Sequence, residues 1–517
     1  MIDKWKCAGP QIACAPGANG REGKCVSDRN LSEGPNLQLL AHNAMLEAGF
    51  SPEFPGAVAQ ELPAIRQAAD RLRSNPPPPD LRGLLWSSID NPTSRDLDQI
   101  EFAERLPNGH IRILLGIADV DALVPKGSAA DLHAAQNGMS IYLGVVTFPL
   151  FPPEISNDMT SLLQDQDRPA VVVDVTLNPQ GAVSAAAVST VTVRNRAKLN
   201  YESVGAWLEN TGPAPELVEN TAGLADQLHL QFEAANKFHE ERIRAGALEF
   251  ESIEPQPVMA GESVAGLHLE KKNRARDLIE NLMVATNSAI ATFLEARGFP
   301  SIQRVVRTPE RWPRIVALAA EMGTQLPTAP DAVALAEFLA RKRRDDPEHF
   351  PDLSLAIIKL IGAAEYVVLA KGKETEGHFG LAVHDYTHAT APNRRYPDLI
   401  TQRLLKAAIA RVAPPYSIPE LEEIVARCND RAQAARKIER LMRKIVAATF
   451  LSGRIGETFD ALVTGVSPKG TFARVNNPPV EGRVVRGEAG LDVGEKVRVR
   501  LIGTNPERGF IDFARAN

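Results

Sequence analysis

The sequence predicts a multidomain α+β protein with a short helical N-terminal module, a large α/β domain and a C-terminal five-stranded OB-fold β-barrel. Three observations predict this architecture. Apolar residues recur at helical spacing between positions 35 and 75. Strand and helix patterns intermix from 81 to 451, and five short alternating segments separated by Gly-rich turns fill 452–517.

The N-terminal segments come first in the chain. Residues 1–34 mix Gly, Pro, Asn and Ser without a period and are predicted to be a disordered leader, whose three cysteines lack metal-site spacing. Helices are predicted over 37–48 and 57–72, within a module at 35–75. This module is either half of a helix-turn-helix or a small cap packed on the main domain. Four prolines at 76–79 predict a stiff linker over 76–80.

The large domain begins with strands and continues with helices. Two β-rich segments, 171–177 and 187–193, are joined through a turn signal at 178–181, which predicts a hairpin. Helical patterns dominate the second half of the domain, and they cover residues 275–297, 312–322, 332–344, 353–361, 398–411 and 418–450.

The pattern of residues 452–517 predicts a barrel of the type that binds single-stranded nucleic acid with aromatic platforms and basic side chains. The alternative for its phenylalanines is the barrel core, which is the commoner place for a strand phenylalanine. We expect one of the two phenylalanines among the candidates to be exposed. The candidate binding residues are Phe459, Phe472, Lys469, Arg474 and Arg483.

Composition narrows the class of protein. The chain has 517 residues, a net charge of −6 and 44% hydrophobic residues, which is typical of a globular protein. No apolar run has the length of a membrane span, and no signal-peptide pattern begins the chain, so a cytoplasmic protein without membrane contact is expected. The acidic balance does not exclude nucleic acid, because basic side chains can be concentrated in an internal channel.

A cluster of three aspartates is the most informative motif. Asp90, Asp96 and Asp98 lie within nine residues, between an apolar run at 84–86 and a predicted strand at 111–118. Asp96 and Asp98 share a face in an extended segment, and the turn signal Asn91-Pro92 brings Asp90 over them. Close carboxylates repel each other unless a cation neutralises them, and an all-oxygen site suits Mg²⁺. The alternative is an acidic surface turn without a ligand.

Three further segments follow in order: 140–158 (Tyr-Leu, then Pro-rich, then Ile-Ser), 276–287 (a helix with Glu280) and 389–400 (Arg394-Arg395 before a helix). Each has an ordinary structural alternative, such as a solvated Glu280 or arginines that pair with Asp398. Together with the aspartate cluster, they resemble the ribonuclease II and ribonuclease R (RNB) family of 3'-to-5' exoribonucleases. The resemblance runs from about Leu84 to Leu451 and continues into the C-terminal barrel.

The resemblance implies an RNB catalytic domain over 81–451, an OB-fold RNA-binding domain over 452–517, and an enzyme that releases nucleoside 5'-monophosphates from single-stranded 3' ends of RNA. It implies Mg²⁺ as cofactor, with two ions and with Mn²⁺ able to substitute, and no obligate protein partner. Asp90, Asp96 and Asp98 match metal-binding aspartates, and Asp98 matches the one on which catalysis most depends.

The same resemblance assigns roles to residues outside the aspartate cluster. Arg394 matches the arginine on the scissile phosphate, and Glu439 matches a further active-site glutamate. The remaining matches are RNA contacts: Tyr142 and Phe250 around the last stacked bases, Tyr201 and Glu280 at the terminal nucleotide and its ribose, and Arg395 beside Arg394.

Two departures from the family pattern leave rival functions open. Gln99 stands where the family usually has a fourth aspartate, so weaker occupancy of one metal position is expected. This motivates a catalytically impaired RNA-binding regulatory protein as the alternative. In addition, the helical module at 35–75 replaces the paired cold-shock barrels of usual members. A helix-turn-helix there would suggest a DNA-directed nuclease, against which the ribose-reading candidates weigh.

Overall fold

A computed structural model describes residues 35–75, 79–251, 255–269, 272–468 and 470–516. The predicted leader at 1–34 and most of the proline linker lie outside these residues. Helices of the described chain are α1 (Leu37–Glu47), α2 (Gly56–Ser74), α3 (Ala129–Asn137), α4 (Tyr201–Leu208), α5 (Glu216–Asn220), α6 (Leu224–Arg244), α7 (Arg274–Ala296), α8 (Trp312–Glu321), α9 (Ala332–Asp345), α10 (Phe350–Ile361), α11 (Tyr396–Ala410) and α12 (Ile418–Leu451).

The strands fall into two barrels and three small ribbons. They are β1 (Trp86–Asp90), β2 (Gln99–Arg105), β3 (Ile111–Ala118), β4 (Ile141–Tyr142), β5 (Thr147–Phe148), β6 (Asp167–Leu177), β7 (Val183–Asn200), β8 (Pro255–Ala260), β9 (Ser263–Leu269), β10 (Ser301–Val305), β11 (Glu365–Leu369), β12 (Thr458–Ser467), β13 (Gly470–Asn476), β14 (Pro479–Arg486), β15 (Lys496–Asn505) and β16 (Phe510–Arg515).

A closed barrel with the order β1-β2-β3-β6-β7 forms the centre of the large domain. All its neighbours are antiparallel except β1 and β7, which run parallel and close it. The predicted hairpin is confirmed as β6–β7. Its turn is held by Asn178, whose side chain accepts from the N–H groups of Gln180 and Ala182. Gly181 has φ +95°, and a Cβ there would lie 2.1 Å from the carbonyl oxygen of Lys237, so this turn requires glycine.

Long helices pack around this barrel and fix the chain segments at its rim. α6 and α7 pack on each other and on the barrel strands, and the apolar core runs through all of them. α12 begins at a capping box in which Ser417 and Glu420 satisfy each other's backbone N–H groups. Its 34 residues reach from the large domain to the C-terminal barrel.

The two N-terminal helices pack on different parts of the large domain. Leu37, Ala41 and Met45 of α1 share an apolar cluster with α12 and β4, whereas α2 packs on α3 and β6. His42 of α1 pairs with Glu53, and Asn137 at the end of α3 bonds to the backbone of Ser51. The helices are thus arranged as a cap on the main domain, which is one of the two alternatives left open by the sequence.

The C-terminal strands form a second closed barrel with the order β12-β13-β14-β16-β15, so the predicted five-stranded barrel is confirmed. Its core continues into α12 through Ala448 and Leu451. Two ion pairs also join it to the large domain: Arg474 to Asp352, and Lys496 to Glu348. None of the helices in the described parts of the chain is both long enough and apolar enough to cross a membrane.

Candidate active site

The aspartate cluster forms the connection between two neighbouring strands of the first barrel. Asp90 is the last residue of β1, and Asp98 immediately precedes β2. The turn between them is closed by the N–H of Ser94, which donates to the carbonyl of Asn91 at 3.1 Å. Asp90 accepts from the N–H of Asn91 at 2.7 Å and from the hydroxyl of Ser94 at 2.8 Å, both on Oδ1. Two short strands therefore place three carboxylates on one rim of the barrel.

Asp98 is the most buried of the three carboxylates, with 2% of its surface exposed. Its Oδ1 accepts from the backbone N–H of Asn393 at 2.9 Å, and its Oδ2 accepts from Nε of Arg394 at 3.3 Å. Burial raises the pKa of Asp98 to about 7, and the charge of Asp96 adds to this, while Arg394 opposes it. Removal from water is thus the main reason that this carboxyl group holds its proton more tightly than usual.

The segment that carries Asn393 and Arg394 is held by a second aspartate. Asp398, which is fully buried, accepts on Oδ1 from the N–H of Ala391 at 2.8 Å and from Nη2 of Arg395 at 2.7 Å. The guanidinium of Arg395 is therefore already paired within the protein. Its contact with RNA stays a prediction. The Arg394 side chain, by contrast, is 45% exposed.

A third segment, residues 160–161, directly follows the motif at 140–158 and holds two chain segments next to Asp98 in place. The hydroxyl of Thr160 donates to the side-chain oxygen of Asn393 at 2.6 Å. The Ser161 hydroxyl donates to the carbonyl of Arg95 at 2.6 Å and accepts from the N–H of Leu97 at 3.0 Å. The sequence did not single out these positioning residues, since small hydroxyl side chains carry no local signal of a distant partner.

Tyr142 reaches the aspartate cluster from the β4–β5 ribbon. Its hydroxyl donates to Oδ2 of Asp96 at 2.9 Å, while 47% of its surface remains exposed. Burial around the hydroxyl, followed by the charge of Asp96, raises the pKa of Tyr142. A cavity of about 70 Å³ lies beside the ring and is also lined by Glu439 and Arg443 of α12. The structure therefore brings Tyr142, Glu439 and the aspartates to one region.

Tyr201 lies on the other side of the cluster. It is the first residue of α4, behind the cap Asn200, and Asn200 pairs with Asp90 across β7 and β1. The Arg276 guanidinium lies 4.3 Å from the centre of the Tyr201 ring and also donates to the side chain of Asn91 at 3.1 Å. Burial, and next the charge of Asp90, raises the pKa of Tyr201.

Glu280 and Phe250 are placed by other elements. Glu280 lies on α7, has a side chain that is 46% exposed, and pairs with Nζ of Lys272 at 2.8 Å. Phe250 is half-buried and packs on the apolar cluster formed by α8, α9 and α10. These contacts do not connect either residue to the aspartates, and their roles toward RNA remain predictions.

The C-terminal barrel corrects part of the sequence analysis. Phe459 is buried against Phe513 in the barrel core, so it is not a platform for bases, and Phe472 is half-buried. The expectation that one of the two would be exposed is therefore wrong. The exposed aromatic is Phe510, at 55%, which sequence reasoning missed because its short strand alternates like the others.

The predicted basic residues of this barrel differ in their surroundings. Arg474 is only 14% exposed and forms a double hydrogen bond with Asp352, at 2.5 and 3.0 Å. Arg483 is exposed beside Gly470, whereas Lys469 lies outside the described residues. Arg474 thus acts first as a contact between the barrel and α10.

The carboxylates of the aspartate cluster are ligands of the kind that a hard divalent cation prefers, but their arrangement is not that of a metal site. Over the part of the chain that the structure describes, no group of three or more His, Cys, Asp or Glu side chains has the arrangement of a metal site. The carboxylates of Asp90, Asp96 and Asp98 nonetheless lie in one connection between β1 and β2. Carboxylate oxygens are ligands of the kind that Mg²⁺ prefers.

Strand β2, which directly follows Asp98, carries two buried polar side chains. Gln99 and Glu101 lie two residues apart in this strand and so share one of its faces. Gln99 is 7% exposed, and Glu101 is fully buried with no hydrogen-bond partner for either carboxylate oxygen among the described residues. Sequence reasoning singled out Gln99 and missed Glu101, whose position resembles that of any polar residue in an alternating strand.

Comparison with known proteins identifies relatives that match most of the chain. A family model described as RNB domain matches residues 79–411, and one described as RNase II-type exonuclease C-terminal S1 domain matches residues 457–516. Ribonuclease R 1 of Lactococcus lactis is 27% identical over 465 residues, which cover 84% of this chain and 56% of that protein. Ribonuclease R of Thermotoga maritima is 28% identical over 488 residues, which cover 91% of this chain and 66% of that protein.

A solved structure has the same fold. Mycoplasma genitalium RNase R, in complex with ribose methylated single-stranded RNA, superposes with a TM-score of 0.81 at 21% identity, over 93% of this chain and 78% of that one. The chain spans 56% and 66% of the length of the two curated relatives above. Because the RNB model matches more than half of its 517 residues, the chain belongs to the RNB family.

Proposed function

We propose that this chain is a metal-dependent 3'-to-5' exoribonuclease, which hydrolyses RNA phosphodiester bonds and releases nucleoside 5'-monophosphates. The observation that carries the proposal is the contact of buried Asp98 with half-exposed Arg394, made beside Asp96 and Tyr142. A guanidinium anchored on one edge by a carboxylate keeps its other N–H donors for a phosphate. Negative charge that develops on that phosphate during hydrolysis would be stabilised by these donors.

The aspartates supply the other half of the chemistry. Asp90, Asp96 and Asp98 would hold Mg²⁺, as two ions with Mn²⁺ able to substitute, and the amide oxygen of Gln99 offers a ligand without charge. A bound divalent ion supplies Lewis-acid stabilisation of the phosphate charge. The protein's own part is to keep the carboxylates together: Ser94 orients Asp90, Tyr142 orients Asp96, and the N–H of Asn393 orients Asp98.

The RNA contacts follow from exposed rings and polar groups near this site. The half-exposed ring of Tyr142 offers a face for a base, and Tyr201 and Phe250 are the further aromatic candidates. Glu280 would accept a hydrogen bond from a ribose 2'-hydroxyl, which separates RNA from DNA. Mycoplasma genitalium RNase R was solved with single-stranded RNA, and we extend this class of ligand to single-stranded 3' ends bound by the present chain.

The functional division of the chain is part of the proposal. Residues 81–451 would carry the chemistry, and the barrel at 452–517 would add RNA affinity through Phe472, Arg483 and the exposed Phe510. The 35–75 module would act as a cap that supports Tyr142, since α1 packs against β4. A helix-turn-helix directed to DNA is not favoured, because α1 and α2 each pack on the large domain.

Purified protein incubated with end-labelled RNA tests the proposal. With Mg²⁺, 3'-labelled RNA should lose its label at once as nucleoside 5'-monophosphate, and 5'-labelled RNA should shorten progressively. A chelator should stop both reactions, and circular RNA of the same sequence should resist. Cleavage of the circle, internal fragments or activity in chelator would contradict the proposal.

A second candidate function rests on Gln99, which leaves the cluster one negative charge short of the family pattern. It is an RNA-binding regulatory protein that has lost hydrolysis. The same experiment separates the two functions, because the regulatory protein would shift labelled RNA on a gel in Mg²⁺ without shortening it. The exposed Arg394 on Asp98 favours the enzyme, since binding alone does not need a phosphate-directed arginine in a carboxylate pocket.

A further inference from the structure

Arg168 is a buried cation that neither the proposed chemistry nor the proposed RNA contacts use. It lies near the start of β6, and its side chain is 1% exposed. Its ion pair with Oδ1 of Asp158 is long, at 3.8 Å, and burial lowers the pKa of Arg168 to about 10. A buried charge costs free energy unless other polar groups stabilise it. The groups that stabilise this guanidinium therefore show which part of the chain it holds.

Two of these groups are backbone carbonyls at the ends of one short segment, residues 158–161. Nε of Arg168 donates to the carbonyl of Ser161 at 3.0 Å, and Nη2 donates to the carbonyl of Asp158 at 2.9 Å. The segment leaves a single π-helical turn, Ile155–Met159, and carbonyls at a helix end lack partners within the helix. A planar guanidinium bridges two such carbonyls in a fixed geometry that a lysine ammonium does not reproduce. Arg168 thus fixes the 158–161 segment on the barrel.

The 158–161 segment contacts the surroundings of both partners in the Asp98–Arg394 contact. The hydroxyl of Ser161 bonds to the backbone at positions 95 and 97, immediately before Asp98. The hydroxyl of Thr160 lies 2.6 Å from the side-chain oxygen of Asn393. Asn393 directly precedes Arg394, and its backbone N–H donates to Oδ1 of Asp98 at 2.9 Å. One segment therefore holds two parts of the chain that are almost 300 residues apart in sequence.

We propose that Arg168 is a positioning residue for hydrolysis, which sets the relative placement of Asp98 and Arg394 by holding the 158–161 segment. The inference rests on the proposed function, because hydrolysis is the step for which these two side chains must be placed. Displacement of a reacting group by about 1 Å can slow catalysis by about a hundredfold. Because Arg168 is buried and bonds to carbonyls of the protein itself, its replacement should slow the chemical step without weakening RNA binding.

Separate measurements of chemistry and binding test this role. Single-turnover hydrolysis of end-labelled RNA at saturating protein, with Mg²⁺, reports the chemical step, and fluorescence anisotropy in chelator reports RNA affinity. Arg168→Lys keeps the charge and loses the bridging geometry, whereas Ser161→Ala removes a hydroxyl of the held segment. Each variant should lower the single-turnover rate by about tenfold or more and leave the RNA dissociation constant within about twofold of the wild type.

A combined variant tests whether both residues act through the same segment. The loss of rate in Arg168→Lys, Ser161→Ala should then be smaller than the product of the two single losses. Arg112→Lys is the control for barrel stability, because Arg112 pairs with Glu104 and Asp174 and lies across from the end of β6, whereas Arg168 lies near its start. This control should lower the unfolding temperature and keep the wild-type rate, with all assays run below every unfolding transition.

Each outcome decides the role of Arg168. Wild-type rates in both single variants, losses that multiply in the combined variant, or equal slowing by Arg112→Lys overturn the inference and leave the proposed function standing. If Arg168→Lys does not fold, Ser161→Ala decides, since it keeps the backbone bond from Leu162 to Leu97 at 3.0 Å. Slower chemistry with unchanged RNA affinity then supports the inference, and a wild-type rate overturns it. A wild-type protein that does not hydrolyse RNA removes both the proposed function and the inference that rests on it.

Discussion

Replacement of Asp98 by asparagine should separate metal-dependent hydrolysis from RNA binding and should stabilise the metal-free protein. Burial raises the pKa of Asp98 from 3.8 to about 7 in the folded chain. Between these values the folded protein holds a proton that the unfolded chain has released. The stability of the metal-free wild type therefore falls as the pH rises through this window, and the deficit persists above pH 7.

The expected difference in unfolding free energy follows from the pH range between the two pKa values of Asp98. The asparagine side chain is neutral at every pH and has nearly the shape of a protonated aspartate, so the variant lacks this dependence. Each pH unit corresponds to about 1.4 kcal/mol while the folded group stays protonated, and this slope halves at its pKa of about 7. The advantage of Asp98→Asn in unfolding free energy should therefore grow by about 2 kcal/mol from pH 5 to pH 7. Above pH 7 the difference should level off.

Urea unfolding of chelator-treated protein at pH 5, 6, 7 and 8 measures this difference. Added Mg²⁺ serves as the control, because an ion that binds the wild type should remove part of the advantage of Asp98→Asn. On end-labelled RNA the variant should bind and not hydrolyse. A stability difference that is independent of pH would refute the electrostatic reasoning, and degradation at near the wild-type rate would refute the site.

Three further predictions concern RNA and the barrel. Tyr142→Phe, which loses only the hydrogen bond to Asp96, should keep RNA affinity, whereas Tyr142→Ala should weaken RNA binding by about 1–3 kcal/mol. Fluorescence anisotropy with catalytically inactive protein measures both affinities, and equal losses would contradict a stacking role. Glu280→Ala should narrow the ratio of single-turnover rates on RNA and on an all-deoxy strand, and an unchanged ratio would exclude ribose recognition by this residue. Arg474→Ala should lower the unfolding temperature, because it removes the ion pair of the barrel with Asp352, and should leave the salt dependence of RNA binding nearly unchanged, because the Arg474 charge is already paired. A reduced salt slope would show a phosphate contact instead.

Local patterns predicted most elements but not their partners. The hairpin β6–β7 was predictable because two β-rich segments flank a turn signal, and the C-terminal strands were predictable because their apolar residues alternate between Gly-rich turns. Closure of β1-β2-β3-β6-β7 into a barrel was not predicted, since alternation identifies a strand and not its neighbour. Helix α6 was missed because Gln231 and Arg242 lie buried on its inner face and interrupt the apolar stripe.

The same distinction applies to the site. The three aspartates could be grouped from sequence because they lie within nine residues on one connection. The contact of Asp98 with Arg394 joins residues 296 positions apart, so motif order suggested it and only the fold could provide its geometry. Burial of Phe459 and Glu101 could not be predicted locally, because a strand pattern does not say which of its faces is covered.

The adjacent arginines show how the fold gives different roles to identical neighbours. Arg395 is 23% exposed and pairs with Asp398, which is fully buried and also accepts from the N–H of Ala391. Arg394 points instead toward Asp98 and keeps 45% of its side chain exposed. Because Asp398 balances the charge of Arg395, the loop can hold two neighbouring cations, and the guanidinium of Arg394 remains available to both a carboxylate and a phosphate. We therefore infer that Arg395 positions Arg394, to which the proposed function assigns the phosphate contact, and we expect loss of Arg395 to displace that arginine without removing it.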